Sequence, residues 1–225
     1  LVCLCYSKVS SELLSDSIAA ILKGSADKKR KFTETIELQI ALKNYDANKE
    51  KRFSGVVVLP RVPREKFTVA IIGDVKHCDE AKKLDVPTMT EKDLSLLKKD
   101  KKLVKKLTQR YSAFLASASL IRKIPRLVGP GFNKSGKFPA ILNPSDNIQK
   151  KVLEARCAVK FQLKTKKTLC MAVAVANVDM SPADIEANIS LALNYAVSLL
   201  PKNWQQVKRM TIKSTMGAPQ RIYGF

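Results

Sequence analysis

Apolar positions recur along the chain at two periods, and each change of period marks an element. Leu14, Ile18, Ile21 and Leu22 fall at helical spacing behind Ser11 and Glu12, with Gly24 as a stop, which predicts a short amphipathic helix. Residues 32–43 then alternate. Ile36, Leu38, Ile40 and Leu42 take one face while Thr33, Thr35, Glu37 and Gln39 take the other, the pattern of a half-buried strand. A second strand is expected at 55–59, and Pro60 and Pro63 with their neighbouring arginines read as a linker.

The alternation disappears at 67–72, an apolar run closed by Gly73-Asp74, as in a strand covered on both faces of a parallel sheet. A short helix follows at 78–84. Thr90 and Asp93 then open a lysine-rich helix to about Arg110, whose apolar positions are Leu94, Leu97, Val104, Leu107 and Tyr111. Another buried strand is expected at 113–116 and a helical turn at 117–123. The Pro- and Gly-dense stretch 125–139 reads as a loop presenting Lys134 and Lys137. After a short helix from 145, strands at 158–163 and 169–175 are expected to form a hairpin around the basic turn 164–167. Ser181, Pro182 and Asp184 begin a long helix with the stripe Ile185, Ile189, Leu193, Ala196 and Leu200, stopped by Pro201. Trp204 reads as a packing residue behind it, and an alternating strand at 207–213 leads to a Gly-bearing end at 214–217.

The fold class expected from this order is an α+β split domain formed by both chain ends, residues 1–63 and 153–225, with a smaller α/β domain, residues 64–152, inserted between them. Two chain crossings would join the bodies, an arrangement that allows hinge motion and restrains twist.

Charge narrows the partner. The 225 residues hold 41 Lys+Arg against 20 Asp+Glu and one His, a formal net charge of +21, so a polyanionic partner is expected. Residues 64–152 carry 20 of the basic and 9 of the acidic side chains, a net +11 that leaves +10 for the two ends. Such an even spread fits two folded bodies facing one extended polyanion such as structured RNA better than a detachable basic tail. Two clusters stand out. Lys28, Lys29, Arg30 and Lys31 run directly into Phe32 as a candidate phosphate clamp, whereas Lys98, Lys99, Lys101, Lys102, Lys105 and Lys106 read equally well as the solvated face of a helix.

Other classes are disfavoured. The longest apolar run, 169–176, is far too short to span a bilayer, no secretory leader opens the chain, and a soluble intracellular protein is expected. Five scattered cysteines without a CxxC pair support neither a disulfide framework nor a zinc site. His77 is the sole imidazole available to a Ser or Cys nucleophile, and its sequence neighbours Cys78 and Asp79 are poorly placed to converge with it. The stretch 125–139 lacks GxxxxGK[ST], and no GxGxxG follows the first strand of the middle domain, which argues against an RNA-modifying enzyme with a nucleotide cofactor. No cofactor or metal is expected.

Four segments carry a resemblance: KKRKFTETIELQIALKNYD at 28–46, RFSGVVVLP at 52–60, LVGPGFNKSGKFP at 127–139 and IKSTMGAPQR at 212–221. Together they resemble the universal ribosomal protein family L-one, in its eukaryotic L-ten-a type. Residues 1–6, LVCLCY, precede the family's usual start and are treated as an extension. The resemblance implies a non-enzymatic, cytoplasmic constituent of the large ribosomal subunit, binding ribosomal RNA of the mobile lateral stalk at the tRNA exit site and assisting tRNA movement and release. It also implies a Rossmann-like inserted domain that approaches exit-site tRNA, with neither a membrane nor a small-molecule partner. Carried over by residue, its RNA surface falls on Lys31, Phe32, Thr35, Lys213, Ser214, Thr215, Met216 and Gly217. Lys28, Lys29, Arg30, Lys134 and Lys137 form a secondary basic surface.

These residue types suit RNA. A threonine hydroxyl at 35 can exchange hydrogen bonds with 2′-hydroxyls, Gly217 lets backbone approach a ribose, and Met216 is an adaptable apolar contact. Phe32 lies on the opposite parity from Thr35, so it either caps the core or presents its edge to a sugar or base. Apart from the family, Thr-Met-Gly would read as an ordinary terminal turn.

Overall fold

The structure, a computed structural model, describes residues 8–45, 53–97, 100–163 and 169–224. It is mixed α/β, with its described strands in three sheets. The chain forms two compact units: one from both ends, up to Arg64 and from Cys157 onward, and one from Glu65–Arg156.

Helix α1 (Ser11–Asp27) starts at Ser10, whose hydroxyl accepts from Leu13 N at 3.3 Å, and buries Leu14, Ile18 and Ile21. It runs through Gly24 rather than stopping there. That glycine keeps an ordinary negative φ on an exposed face, so it supplies no left-handed terminus. β1 (Thr35–Leu42) alternates strictly between buried and half-buried positions, and β2 (Ser54–Val58) follows it.

In the second unit, β3 (Val69–Ile72) is buried at every position. Val69 and Ile71 belong to one apolar core while Ala70 and Ile72 belong to another, which is why the run loses its alternation. α2 (Val75–Lys82) and β4 (Thr88–Met89) come next, then α3 (Glu91–Leu96) under a capping box of Thr90 and Asp93. The lysine-rich helix expected to run to Arg110 is two helices. Asp100 accepts from Lys102 N at 2.9 Å and opens α4 (Lys101–Arg110) as a new helix. β5 (Ala113–Ser117) and α5 (Ala118–Ile121) lead into the stretch expected to be loop, which instead holds α6 (Ile124–Val128) and α7 (Gly131–Ser135). Pro125 sits in the first turn of α6, and Gly129 and Gly136 adopt positive φ just past the two helix ends. The Pro and Gly residues punctuate helices here. β6 (Ala140–Leu142) completes a wholly parallel sheet of order β4-β3-β5-β6. α8 (Ile148–Cys157) then packs Ile148 and Val152 into this unit's core, so position 153 lies inside a continuous helix.

The returning chain supplies β7 (Ala158–Gln162), β8 (Cys170–Asn177), α9 (Pro182–Ser198), a 3-10 turn at Asn203–Gln206, β9 (Val207–Ser214) and β10 (Gln220–Tyr223). β7 and β8 do not form the expected hairpin. β7 pairs with β2 through Val57↔Val159, while β8 pairs with β1 through Leu38↔Val173. The strands bury their apolar residues in the same core but take partners from the other end of the chain. Residues 164–168, which hold the expected basic turn, lie outside the described residues, as do residues 1–6, Lys98 and Lys99.

The antiparallel sheet β10-β9-β1-β8 places β1 between strands from the C-terminal arm. Ile36, Leu38, Met210 and Ile212 share its core with Leu14, Ile18, Ile185, Ile189 and Leu193. Each such large aliphatic side chain contributes about 1.5–3 kcal/mol on burial. Trp204 packs there too, its ring 5.0 Å from that of Tyr223. Asn188 of α9 is fully buried: it accepts from Arg61 N at 3.2 Å and donates to Val175 O at 3.0 Å, tying the departing chain to helix and sheet.

Candidate nucleic-acid interface

The register of β1 against β9 pairs Ile36 with Ser214, so the start of β1 and the turn after β9 meet at one end of the sheet. Two threonines 180 residues apart join there. Thr35 N donates to Thr215 Oγ1 at 3.1 Å, Thr215 Oγ1 lies 3.2 Å from Thr35 O as a donor, and the two hydroxyls are 3.0 Å apart. One hydroxyl proton cannot serve both Thr35 oxygens at once, so Thr215 is committed to the protein, whereas Thr35 keeps hydroxyl capacity for an outside partner.

A residue absent from the sequence-level site organises the rest. Glu34 is only 4% exposed. Its carboxylate accepts from Met216 N at 3.3 Å and lies 3.7 Å from Arg30 Nε, while its backbone carbonyl accepts from Val178 N at 3.0 Å. The acid thus fixes both the turn and one cation of the basic run. Its signal was parity, since position 34 falls on the same side of the alternation as Ile36 and Leu38.

The turn itself is closed by Gly217 N donating to Ser214 O at 3.3 Å. A Cβ on Gly217 would collide with Ser214 Oγ, so any other residue here must turn that buried hydroxyl aside; the glycine serves room, not a positive φ. Ser214 is buried beneath the turn and presents no hydroxyl to solvent; Met216, in contrast, is 59% exposed. Lys213 is half-buried opposite Glu37 on the sheet face that carries Thr35.

Phe32 does not cap the core: it is 54% exposed, among the exposed cations Lys28, Lys29, Arg30 and Lys31. These residues border two hollows. One, of about 560 Å³, is lined by Lys29, Arg30, Lys31, Phe32, Thr33 and Asp179 among others; the second, of about 260 Å³, includes Lys28, Ser214, Met216 and Gly217 in its lining. Arg30 and Glu34 line both and form the ridge between them. Thr33 Oγ1 donates to Asp179 Oδ2 at 3.1 Å across the larger hollow.

The secondary basic residues of the other unit do not act alike. Lys134 is exposed on α7, but Lys137 Nζ donates to Thr108 O at 2.6 Å and Tyr111 O at 2.9 Å, so its ammonium caps the end of α4 instead of facing solvent. On α4, Lys101, Lys102, Lys105 and Lys106 are exposed while Val104 and Thr108 are buried. His77 is buried with Nδ1 2.5 Å from Ser117 Oγ, and Asp79 turns to Lys82 at 3.5 Å. Cys78 donates to Gly73 O, and burial pushes its thiol up, away from the thiolate a nucleophile needs. Among the described residues, no cluster of three or more His, Cys, Asp or Glu side chains is placed to hold a metal, and no helix is long and apolar enough to cross a membrane.

Cations around the rim with a small polar and apolar centre make a surface suited to an extended anion, where charge supplies attraction and the uncharged groups supply shape. The chain belongs to the ribosomal protein L1p/L10e family, whose model matches residues 22–218. It is 54% identical over 217 residues to a large ribosomal subunit protein uL1 of Caenorhabditis elegans, covering 96% of this chain and 100% of that one. Proteins of the same name from Spodoptera frugiperda and Chlamydomonas reinhardtii are 53% and 56% identical over 217 residues, covering 96% of this chain and 99% and 100% of theirs.

Proposed function

We propose that this chain is a non-catalytic constituent of the large ribosomal subunit in the cytoplasm and that it grips ribosomal RNA of the lateral stalk. The unit built from the chain ends is the RNA-holding domain. Residues 64–152, as an inserted Rossmann-like domain, accompany the stalk beside exit-site tRNA and assist its movement. Family membership supports the ribosomal assignment. The observation that carries the RNA surface is the Thr35–Thr215 clasp, which brings exposed Phe32 and Met216 to one end of a sheet beside Lys28, Lys29, Arg30 and Lys31.

On this proposal Phe32 and Met216 contact a ribose or base, Thr35 Oγ1 exchanges a hydrogen bond with a 2′-hydroxyl, and the lysines neutralise phosphates. Stacking of a base on an aromatic ring contributes about 1–3 kcal/mol. Phe32→Ala with Met216→Ala is therefore expected to weaken binding to a stalk RNA fragment about 10-fold or more. Lys101→Ala with Lys102→Ala is expected to weaken it less than about 3-fold at 0.15 M salt. Equal losses would sink the assignment in favour of nonspecific charge.

A further inference from the structure

Three threonines have basic residues at the third and second positions before them, the spacing that an acidic kinase substrate groove recognises, and one of these, Thr108 behind Lys105 and Lys106, is buried in α4 with its hydroxyl donating to Lys105 O, which leaves two. Thr33 is preceded by Lys28, Lys29, Arg30 and Lys31, and Thr211 by Lys208 and Arg209. The fold separates them. Thr211 is half-buried in β9, paired with Gln39 of β1 on one side and Arg221 of β10 on the other. Thr33 is exposed at the end of residues 28–34, which form neither helix nor strand, and the four cations before it are exposed as well. A kinase groove takes an extended segment lying clear of other strands; the side N-terminal to Thr33 pairs with no strand, and its bend at Lys31 and Phe32 must straighten on docking.

We infer that Thr33 is a phosphorylation site for a basophilic serine/threonine kinase and that its phosphate closes the RNA surface; the second clause rests on the function proposed above. In the transfer, Thr33 Oγ1 attacks the γ-phosphorus of a nucleoside triphosphate. The bond to the β,γ-bridging oxygen breaks, nucleoside diphosphate leaves, and the hydroxyl proton passes to the kinase's catalytic carboxylate. The product carries about −1.5 to −2 charges at pH 7 and no hydroxyl donor. Asp179, which now accepts from Thr33, then faces a like charge. The phosphate turns toward Lys29 and Lys31, the cations of the same hollow that Glu34 does not already hold, and keeps them inside the protein. Withdrawing about two cations from RNA phosphates lowers affinity roughly 10- to 60-fold at 0.1 M salt and reduces the salt slope by about 2.

The test treats the full chain with MgATP and the catalytic subunit of a cyclic-nucleotide-dependent kinase, alongside Thr33→Val and Thr211→Val, and maps phosphate by mass spectrometry. Modified and unmodified proteins are then titrated with the stalk RNA fragment at two salt concentrations. Phosphate at Thr33, none at Thr211, loss of the modification in Thr33→Val and a drop of 10-fold or more in affinity are expected. An unmodified Thr33 in wild-type protein that Thr33→Val matches in thermal stability overturns the site. A phosphorylated chain that binds RNA as tightly as the unmodified one overturns the switch. Binding by the unmodified chain tests the RNA-binding function separately, because that titration involves no kinase.

Discussion

Replacing Thr215 with Val keeps the shape of the side chain and removes the hydroxyl that joins the two ends of the chain. Thr35 N then loses its acceptor at 3.1 Å and Thr35 O its donor at 3.2 Å, in a partly buried place. A lost hydrogen bond costs about 0.5–1.5 kcal/mol, and a donor left unsatisfied away from water costs about 1–3 kcal/mol. With partial access to water at the sheet end, Thr215→Val is expected to destabilise the unit built from the chain ends by about 2 kcal/mol. At about 1–3 kcal/mol per molar urea, this lowers the midpoint by roughly 1 M. The assay is urea unfolding of the full chain followed by Trp204 fluorescence, since Trp204 is packed in that unit's core. Thr215→Ser retains the oxygen and should recover most of the loss. If Val and Ser at this position unfolded at the same urea concentration, the hydroxyl bonds would not be joining the strands and the clasp would be wrong.

Two further outcomes follow from single contacts. Lys137→Met removes the ammonium that caps α4 and should lower the thermal stability of the second unit by about 1–2 kcal/mol, whereas Lys134→Ala should be close to neutral in the same melting experiment. Asp184 lies at the start of α9, where the Ser181 hydroxyl, and secondarily Arg61, holds its carboxyl below the ordinary carboxylate range. A depressed folded-state value adds stability that is present above the unfolded value and disappears as pH falls through the folded one. Wild type and Asp184→Asn should thus differ in melting temperature at pH 7, and the difference should shrink as the pH falls below the ordinary carboxylate range and through the lower folded-state value, beneath which both states are protonated. A difference that persisted in acid would assign the effect to packing.

How much was readable depended on whether a feature was local. β1 and α9 were legible because strict alternation and a Ser-Pro-x-Asp start are written within a few residues. The break at Asp100 was equally local and was missed because lysines surround it. One carboxylate accepting from Lys102 N outweighs a continuous run of helix formers. Between 125 and 139, Pro and Gly stand at helix boundaries, and their density there has the same sequence signature as a loop. Strand pairing was not legible at all: β7 and β8 are adjacent in sequence yet join different sheets, because the closure of long loops is weighed against burial in a shared core. The site divides in the same way. Phe32, Thr35, Thr215 and Met216 were named from motifs at the two chain ends, whereas Glu34, which orders Arg30 and Met216, and Lys137, whose ammonium turns inward, required atoms in place.

On the proposed function a small uncharged centre, not the net charge of +21, selects the RNA. This selection is tested most directly by titrating the full chain with the stalk RNA fragment and with an unrelated RNA duplex of equal length, from 0.05 to about 0.5 M salt, where phosphate contacts weaken steeply. The expected result is a preference for the stalk fragment of about 100-fold or more that survives at the highest salt, because 2′-hydroxyl and apolar contacts release no counterions. Equal affinities falling with one common salt slope would contradict it and leave only a basic protein bound to any polyanion.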